Sequence, residues 1–330
     1  MQKTVEIDAR DNDGNTPLHF FMQNHHLLTK ETTELLLRRG PDPNSDNREG
    51  MTPLHFICQR EKDDGFVETF FKICDDMQKT VQVDARDKLK RSPLQLAVAH
   101  VLLNDVKFLL DRGADISSFV FPAASYFFPA FDTNRYLDFR YKLRLLSGTL
   151  AIVELLEDKG YELDRDASLT IIKVFANQKY LKKPPKVSLD EFLNDDVFYC
   201  DECEREAKRI MVKPSLSLDE VVKLRTEEAE KLLTFEDYYN LARLNKFSLS
   251  HQLFRAACVE HLCEKLSRGV FRRWALDSFL ELTRYRLPIL CCEKIIDRSF
   301  RTEDLWRIYL AYSNLSDAEK SDPLMSVLLL

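Results

Sequence analysis

Thr16-Pro-Leu-His19 returns as Thr52-Pro-Leu-His55 and, altered, as Ser92-Pro-Leu-Gln95, with starts 36 and 40 residues apart. Around it a longer stretch repeats: Met1-Gln-Lys-Thr-Val-Glu-Ile-Asp-Ala-Arg-Asp11 comes back as Met77-Gln-Lys-Thr-Val-Gln-Val-Asp-Ala-Arg-Asp87. A second signature closes the units, as Leu36-Leu-Arg-Arg-Gly40, Leu109-Leu-Asp-Arg-Gly113 and a looser Leu155-Leu-Glu-Asp-Lys-Gly160. A period of this size marks units that cannot bury their apolar faces alone and must stack.

The chemistry of one unit follows from its residue types. Thr16 and Thr52 are expected to cap a helix by accepting a bond from an early backbone N–H. Pro17 and Pro53 then occupy the first helical position, where a missing donor costs nothing. Leu18 and Leu54 point to the core. Gly14 and Gly50 permit the turn before the cap, while Gly40, Gly113 and Gly160 suit the left-handed residue that ends a second helix.

These residues resemble the ankyrin repeat, a turn followed by two antiparallel helices and a loop. The resemblance is specific at two units and good at a third. Beyond Ile116 it fades: Phe119-Val-Phe-Pro-Ala-Ala-Ser-Tyr-Phe-Phe-Pro129 has no Thr-Pro-Leu-His, yet Ile152-Val-Glu-Leu-Leu156 reads as a second helix. A diverged fourth repeat with an insertion is expected there, and Leu163–Ile172 begins a closing half-repeat. Met1 aligns with Met77, which lies between units, so no capping repeat is expected before the first one.

Composition agrees with helices. The 330 residues include only 8 glycines, too few for phosphate loops or an all-β fold rich in tight turns. With 48 Lys and Arg against 54 Asp and Glu the net charge is −6, which gives no global support for a nucleic-acid groove. Met1-Gln-Lys-Thr-Val-Glu-Ile lacks the apolar core of a signal peptide, and the apolar stretch near Phe119–Phe131 is broken by Pro122 and Pro129. The 8 thinly spread cysteines suit reduced thiols, so the cytoplasm or the nucleus is expected. Asn314-Leu-Ser316 has the form of a glycosylation acceptor, without meaning in a chain that is not secreted.

Lys182-Lys-Pro-Pro-Lys186 is the best domain boundary, because two prolines break the helical pattern. Beyond it Ser188-x-x-Glu191 and Ser217-x-x-Glu220 are capping boxes ahead of periodic apolar runs. Val221, Val222, Leu224, Ala229, Leu232 and Leu233 keep a helical rhythm, and Leu249, Leu253, Ala256, Ala257, His261 and Leu262 continue it. Gly269 is the one glycine after the boundary.

Near the end, Leu287-Pro-Ile-Leu-Cys-Cys-Glu-Lys-Ile-Ile296 is followed by Phe300 and Asp304-Leu305. Leu-Pro, then apolar residues eight and nine positions on, then Asp-Leu, resembles an F-box. Where an F-box usually carries Glu two residues after Pro this chain has Leu290, and the gap to Asp304 runs one residue longer than in an F-box. Cys203-Glu-Arg-Glu-Ala-Lys-Arg-Ile-Met211 is similar to the early Cys-centred helix of the PRANC domain (pox proteins, repeats of ankyrin, C-terminal). Ankyrin repeats first and F-box-like helices last resemble that architecture, which occurs in poxviruses, endosymbiotic bacteria and parasitoid wasps.

Enzyme motifs are missing: there is no G-x-G-x-x-G, P-loop, G-x-S-x-G or H-E-x-x-H. His19 and His55 read as turn histidines rather than catalytic ones. Cys200-Asp-Glu-Cys203 and Cys258-x4-Cys263 have spacings that zinc could use, but both pairs lie in helical patterns and read as buried thiols, as do Cys291 and Cys292. Tyr126, Phe127, Phe128, Phe131 and Tyr136 read as the core of the diverged repeat, with a peptide or membrane groove as the alternative. The charges between Ser217 and Asn245 form a solvated helix face.

The expected fold is all-α: an ankyrin solenoid over residues 1–178, then a helical domain over 187–330 whose F-box-like segment covers 286–315. The turn tips, Asn12 and Asp13, then Asn47 and Arg48, then Lys88 and Lys90, are free of core duty and run from acidic to basic, so they are the expected contacts to a protein target. What the resemblance implies is a substrate adaptor of a cullin-RING (SCF-type) ubiquitin ligase. Leu287, Pro288, Ile295, Ile296 and Leu305 would dock the F-box-binding subunit. No catalytic residue, metal, cofactor, nucleic acid or membrane is expected. A stoichiometric binding protein, with C-terminal helices that only close the solenoid, is the alternative, and a zinc-stabilised or enzymatic module on the cysteines the third reading.

Overall fold

The computed structural model describes residues 6–24, 29–127, 139–177, 201–244, 252–283 and 285–299, with Leu305 and Tyr309. The described part is mostly helical: α1 Pro17–Gln23, α2 Lys30–Leu37, α3 Pro53–Ile57, α4 Phe66–Asp76, α5 Pro93–Ala99, α6 Leu103–Asp111, α7 Phe139–Asp158 and α8 Arg165–Asn177. There follow α9 Asp201–Arg209, β1 Met211–Lys213, β2 Leu216–Ser217, α10 Leu218–Lys223, α11 Thr226–Leu232, α12 Phe235–Arg243, α13 Gln252–Leu282 and α14 Ile289–Ser299. The antiparallel hairpin β1–β2 is the one sheet among the described residues.

Contacts divide the chain into two units, Met1–Ala130 with Ile152–Leu163, and Phe131–Ala151 with Asp164–Leu330. The helix α8, expected to close the repeat array, therefore groups with the second unit. The expected boundary at Lys182–Lys186 lies outside the described residues, as do Ser188-x-x-Glu191, Leu249, Phe300, Asp304 and Asn314-Leu-Ser316.

In the first unit, α1, α3 and α5 start where the repeated motif places them, with Thr16, Thr52 and Ser92 as N-caps. The cap chemistry differs from expectation in two of the three. Ser92 Oγ accepts the Gln95 N–H at 3.2 Å, and Gln95 Oε1 accepts the Ser92 N–H at 2.9 Å. At the threonines the histidine ring takes over: Nδ1 of His19 accepts the Thr16 N–H at 3.0 Å and meets the Thr16 hydroxyl at 2.8 Å. His55 does the same for Thr52, at 3.1 and 2.9 Å. With Nδ1 accepting, the ring proton sits on Nε2, which reaches into the next unit, to Met51 O from His19 at 3.0 Å and to Arg91 O from His55 at 3.2 Å. One side chain thus closes its own helix and ties it to the next repeat.

Leu18, Leu54 and Leu94 are buried, as are Leu37, Val67, Phe70, Phe71, Val106 and Leu109 from the second helices. Val98 and Ala99 complete a continuous apolar layer. The diverged stretch adds Phe119, Phe121 and Phe127 to this core, with Phe119 packed edge-on to Tyr161 at 5.3 Å. Tyr126 is half-buried in a short 3-10 turn, and Phe128, Phe131 and Tyr136 lie outside the described residues.

Successive turn tips join through their backbones: the Arg48 N–H donates to Asp13 O and the Lys88 N–H to Glu49 O, both at 2.9 Å. That approach requires glycine. A Cβ on Gly14 would stand 2.9 Å from Arg48 N, and one on Gly50 would stand 3.1 Å from Lys88 N, both at positive φ. Gly113 also has positive φ, but a Cβ there would meet nothing within 4 Å.

The second unit is organised on the long helix α13. Ser217 and Glu220 form the expected capping box at the start of α10, with the Ser217 N–H on Glu220 Oε2 at 2.7 Å. The apolar rhythm read as continuous through Leu224 breaks there, because Leu224 has extended backbone between α10 and α11. The buried Lys265 of α13 donates to Val221 O at 3.1 Å, to Val222 O at 2.8 Å and to Leu224 O, completing the open carbonyls that end α10. Gly269 faces the Glu230 carboxylate of α11, which would have to swing aside for a Cβ.

Gly14→Ala is therefore expected to cost more than Gly113→Ala. Both take on the strain of a left-handed alanine, about 1–2 kcal/mol, but only Gly14→Ala also pushes against the neighbouring tip. Urea midpoints of the two full-length variants check this, and equal losses would remove the tip contact as a determinant.

Candidate protein-binding interface

The tips are built on one side chain per unit. Asp11 Oδ1 accepts the N–H groups of Asp13 and Asn15, both at 2.8 Å. Asn47 Oδ1 accepts those of Glu49 and Met51 at 2.9 Å, and Asp87 Oδ1 accepts that of Arg91 at 2.8 Å. Short polar side chains that bond the backbone ahead of them are what makes such a turn.

This assignment sorts the expected target-binding residues. Asn12, Asp13, Arg48, Lys88 and Lys90 are exposed, whereas Asn47 is half-buried and donates to Asn15 Oδ1 at 2.8 Å, so it builds the turn. The residues equivalent to Asp13 are Glu49 and Leu89, which a reading of tips by charge alone passed over. Aligning Asp11, Asn47 and Asp87 would have found them. With Glu49 counted, the three tips carry −1, 0 and +2, so the gradient holds. Lys90 stands at the glycine position of its tip, with φ of 63°.

A cavity of about 500 Å³ opens beside the third tip. Leu89 and Lys90 line it from the tip, Leu96 and Ala99 from α5, and Val120 and Phe121 from the diverged stretch. Arg86 is fixed at its edge by neutral groups, with Lys90 O and Gln95 Oε1 each at 3.2 Å and Ser118 Oγ at 2.8 Å. Arg91 differs: Asp87 neutralises it at 2.6 Å, and its guanidinium lies 5.3 Å from the Tyr126 ring.

In the second unit, the expected ligase contacts separate by burial. Leu287 and Pro288 are exposed, Ile295 is half-buried, and Ile296 and Leu305 are fully buried. Around the first two, Tyr285, Ile289 and Leu290 are exposed by 70%, 51% and 65%, an apolar run on the turn into α14. Pro288 immediately precedes the helix, and its carbonyl accepts the Cys292 N–H at 3.2 Å. Thr302 and Asp304 lie outside the described residues.

Residues 27–119 match the family model for ankyrin repeats, in three copies. These are protein-interaction modules, so a protein-binding role attaches to this stretch. Two curated proteins also align. A putative ankyrin repeat protein of Rickettsia felis is 36% identical over 62 residues, 18% of this chain and 27% of that protein. A stress-activated protein kinase alpha of Dictyostelium discoideum is 33% identical over 54 residues, 16% of this chain and 8% of that protein. The chain thus spans little more than a quarter of the first relative and under a tenth of the second.

Burial holds His19 and His55 below the usual imidazole value, and it brings His100 down to about 4. Buried Cys58, Cys74, Cys258 and Cys263 are pushed up by burial, away from reactive thiolate. Cys200 lies outside the described residues, among which no cluster of three His, Cys, Asp or Glu is arranged for a metal. No helix among the described residues is long and apolar enough to cross a membrane.

A pH optimum follows. The three histidines bind more protons unfolded than folded below about 6.5, so acidification through that range destabilises the first unit. Asp105 acts oppositely. Burial, then the Asp63 and Asp64 carboxylates, raise it to about 8, so its proton is held in the folded state and stability falls as pH rises towards 8. Urea midpoints should therefore peak near about pH 6–7. Asp105→Asn should abolish the alkaline fall and keep the acid one, and a variant curve parallel to wild type would overturn the assignment.

Proposed function

We propose that the chain is a substrate-recruiting adaptor of a cullin-RING (SCF-type) ubiquitin ligase. The ankyrin repeats hold a target protein, and the F-box-like segment at 286–315 engages the F-box-binding subunit. The observation that carries this reading is the set of exposed apolar side chains Tyr285, Leu287, Pro288, Ile289 and Leu290 at the start of the helix that buries Ile296. Large apolar side chains left in water beside a firmly anchored helix are what an interface of a few anchors needs. Leu287, Pro288 and Ile295 are the docking contacts, and Ile296 and Leu305 hold the segment from within. The mechanism is proximity, since tethering raises the target's effective concentration at the ligase with no chemistry on this chain.

Leu290, 65% exposed where an F-box usually carries an acid, favours one other reading, a stoichiometric binding protein without a ligase link. Copurification of the bridging subunit and cullin with wild type, with Leu287→Ala/Pro288→Ala and with a deletion after Tyr285 separates the two. An interface anchor is worth about 2 kcal/mol, roughly 30-fold in affinity, so both variants should lose capture. If folded wild type brings down neither subunit, the binding-protein reading replaces this one.

Target recognition lies on the tips. Replacing Asp13, Arg48 and Lys90 together should weaken a genuine partner without unfolding the repeats, because exposed tips contribute little stability. A partner that binds the triple variant at full strength would remove the tips from the interface.

A further inference from the structure

Among the exposed features of the first unit, the half-open cavity beside the third tip combines apolar walls with two cations that have no ion-pair partner among the described residues. We infer that it is a docking site for an extended segment of a partner protein carrying an Asp or Glu close to a Leu or Phe. This rests on the protein-binding reading of the repeats and names the chemistry they select.

Three observations carry it. The volume, about 500 Å³, lies in the range of ligand sites, and the deep wall is apolar, with Leu96, Ala99 and Phe121 buried. Leu89 and Val120 stand at its mouth, 60% and 65% exposed, so an apolar side chain entering between them covers surface now left in water.

The third observation is charge. Arg86 is aimed and immobilised by the Lys90 carbonyl, Gln95 and Ser118, all neutral, and Lys90 has no carboxylate partner among the described residues. Among the described residues, the nearby Asp87 already pairs with Arg91, and Asp115 is held by Ser117 and Ser118 rather than by Arg86 or Lys90. Two cations without an ion-pair partner among the described residues, beside an apolar pocket, select a carboxylate joined to an apolar body. The acidic first tip disfavours a uniformly acidic surface such as an anionic membrane, and a segment with one local acid avoids that repulsion.

The test uses the full chain on immobilised, end-blocked twelve-residue peptides in a Gly-Ser background. One set places Glu within three residues of Phe, a second replaces Glu by Lys, and a third replaces Phe by Ala. The first set should bind at least tenfold better than the other two, and less tightly as salt rises. Arg86→Gln/Lys90→Gln should remove that preference with the circular dichroism melt unchanged. Leu89→Ser, on an exposed tip, should weaken it independently should the first variant misfold. Equal binding of the three sets, or a preference indifferent to both variants, overturns the proposal. So does binding to phosphatidylserine-containing vesicles with no peptide preference. A target held at full strength by Arg86→Gln/Lys90→Gln but lost with Asp13→Ala/Arg48→Ala overturns the cavity site while the protein-binding reading stands.

Discussion

The backbone bonds between neighbouring turn tips, Arg48 N–H to Asp13 O and Lys88 N–H to Glu49 O at 2.9 Å, set the spacing of the first unit. They bring the tips so close that a Cβ at Gly14 would collide with the Arg48 nitrogen and one at Gly50 would crowd the Lys88 nitrogen. Once the tips are in register, the histidine at the start of one inner helix lies opposite a carbonyl of the next unit, and the apolar layer below closes. The same constraint leaves the side chains at Asn12, Asp13, Arg48, Glu49, Lys88 and Leu89 pointing away from the stack. Recognition and stability are thereby separated along the chain: backbone and glycine hold the row, and the tip side chains vary without loosening it.

Much of this was legible because each repeat is a local device. Thr-Pro-Leu-His announces a helix start whatever surrounds it, and Gly40, Gly113 and Gly160 announce a helix end, with φ of 104°, 86° and 94° in the structure. What escaped depends on neighbours remote in sequence. That Nε2 of His19, whose Nδ1 accepts the Thr16 N–H within its own turn, also reaches a carbonyl of the next unit becomes visible only with Met51 in place behind it. Asn47 looks like any exposed tip residue until its carbonyl is seen to hold two backbone donors. The cavity was touched only through Tyr126, for which a peptide groove was the alternative to core, because its wall joins Arg86, Leu96 and Val120 from separate elements.

The second unit shows the opposite balance. Few of its contacts recur, so capping boxes located its helices, while Lys265 and Gly269 acquired meaning only from α10 and α11 packed against them. A lysine buried to 6% exposure is tolerable because three helix-end carbonyls receive its protons. The break at Leu224 is part of the same arrangement, because the chain must leave the helix there for those carbonyls to converge. A hydrophobic rhythm alone records the apolar positions and is blind to such an interruption.

Charge decides how the first unit would use its surface. If the tips bind a target as proposed, a first unit that concentrates positive charge at its third tip would present a dipolar face, and a dipole orients a partner before contact. The acidic first tip and the basic third tip would also reject a partner presented in the reversed direction, which places like charges together at both ends. Apolar anchoring at Leu89 and Val120 adds affinity only after that alignment, because those side chains flank the basic end alone. In the proposed docking, direction would be chosen by charge and residence by burial, and Arg86, bonded to the Lys90 carbonyl, Gln95 and Ser118, sits where the two meet.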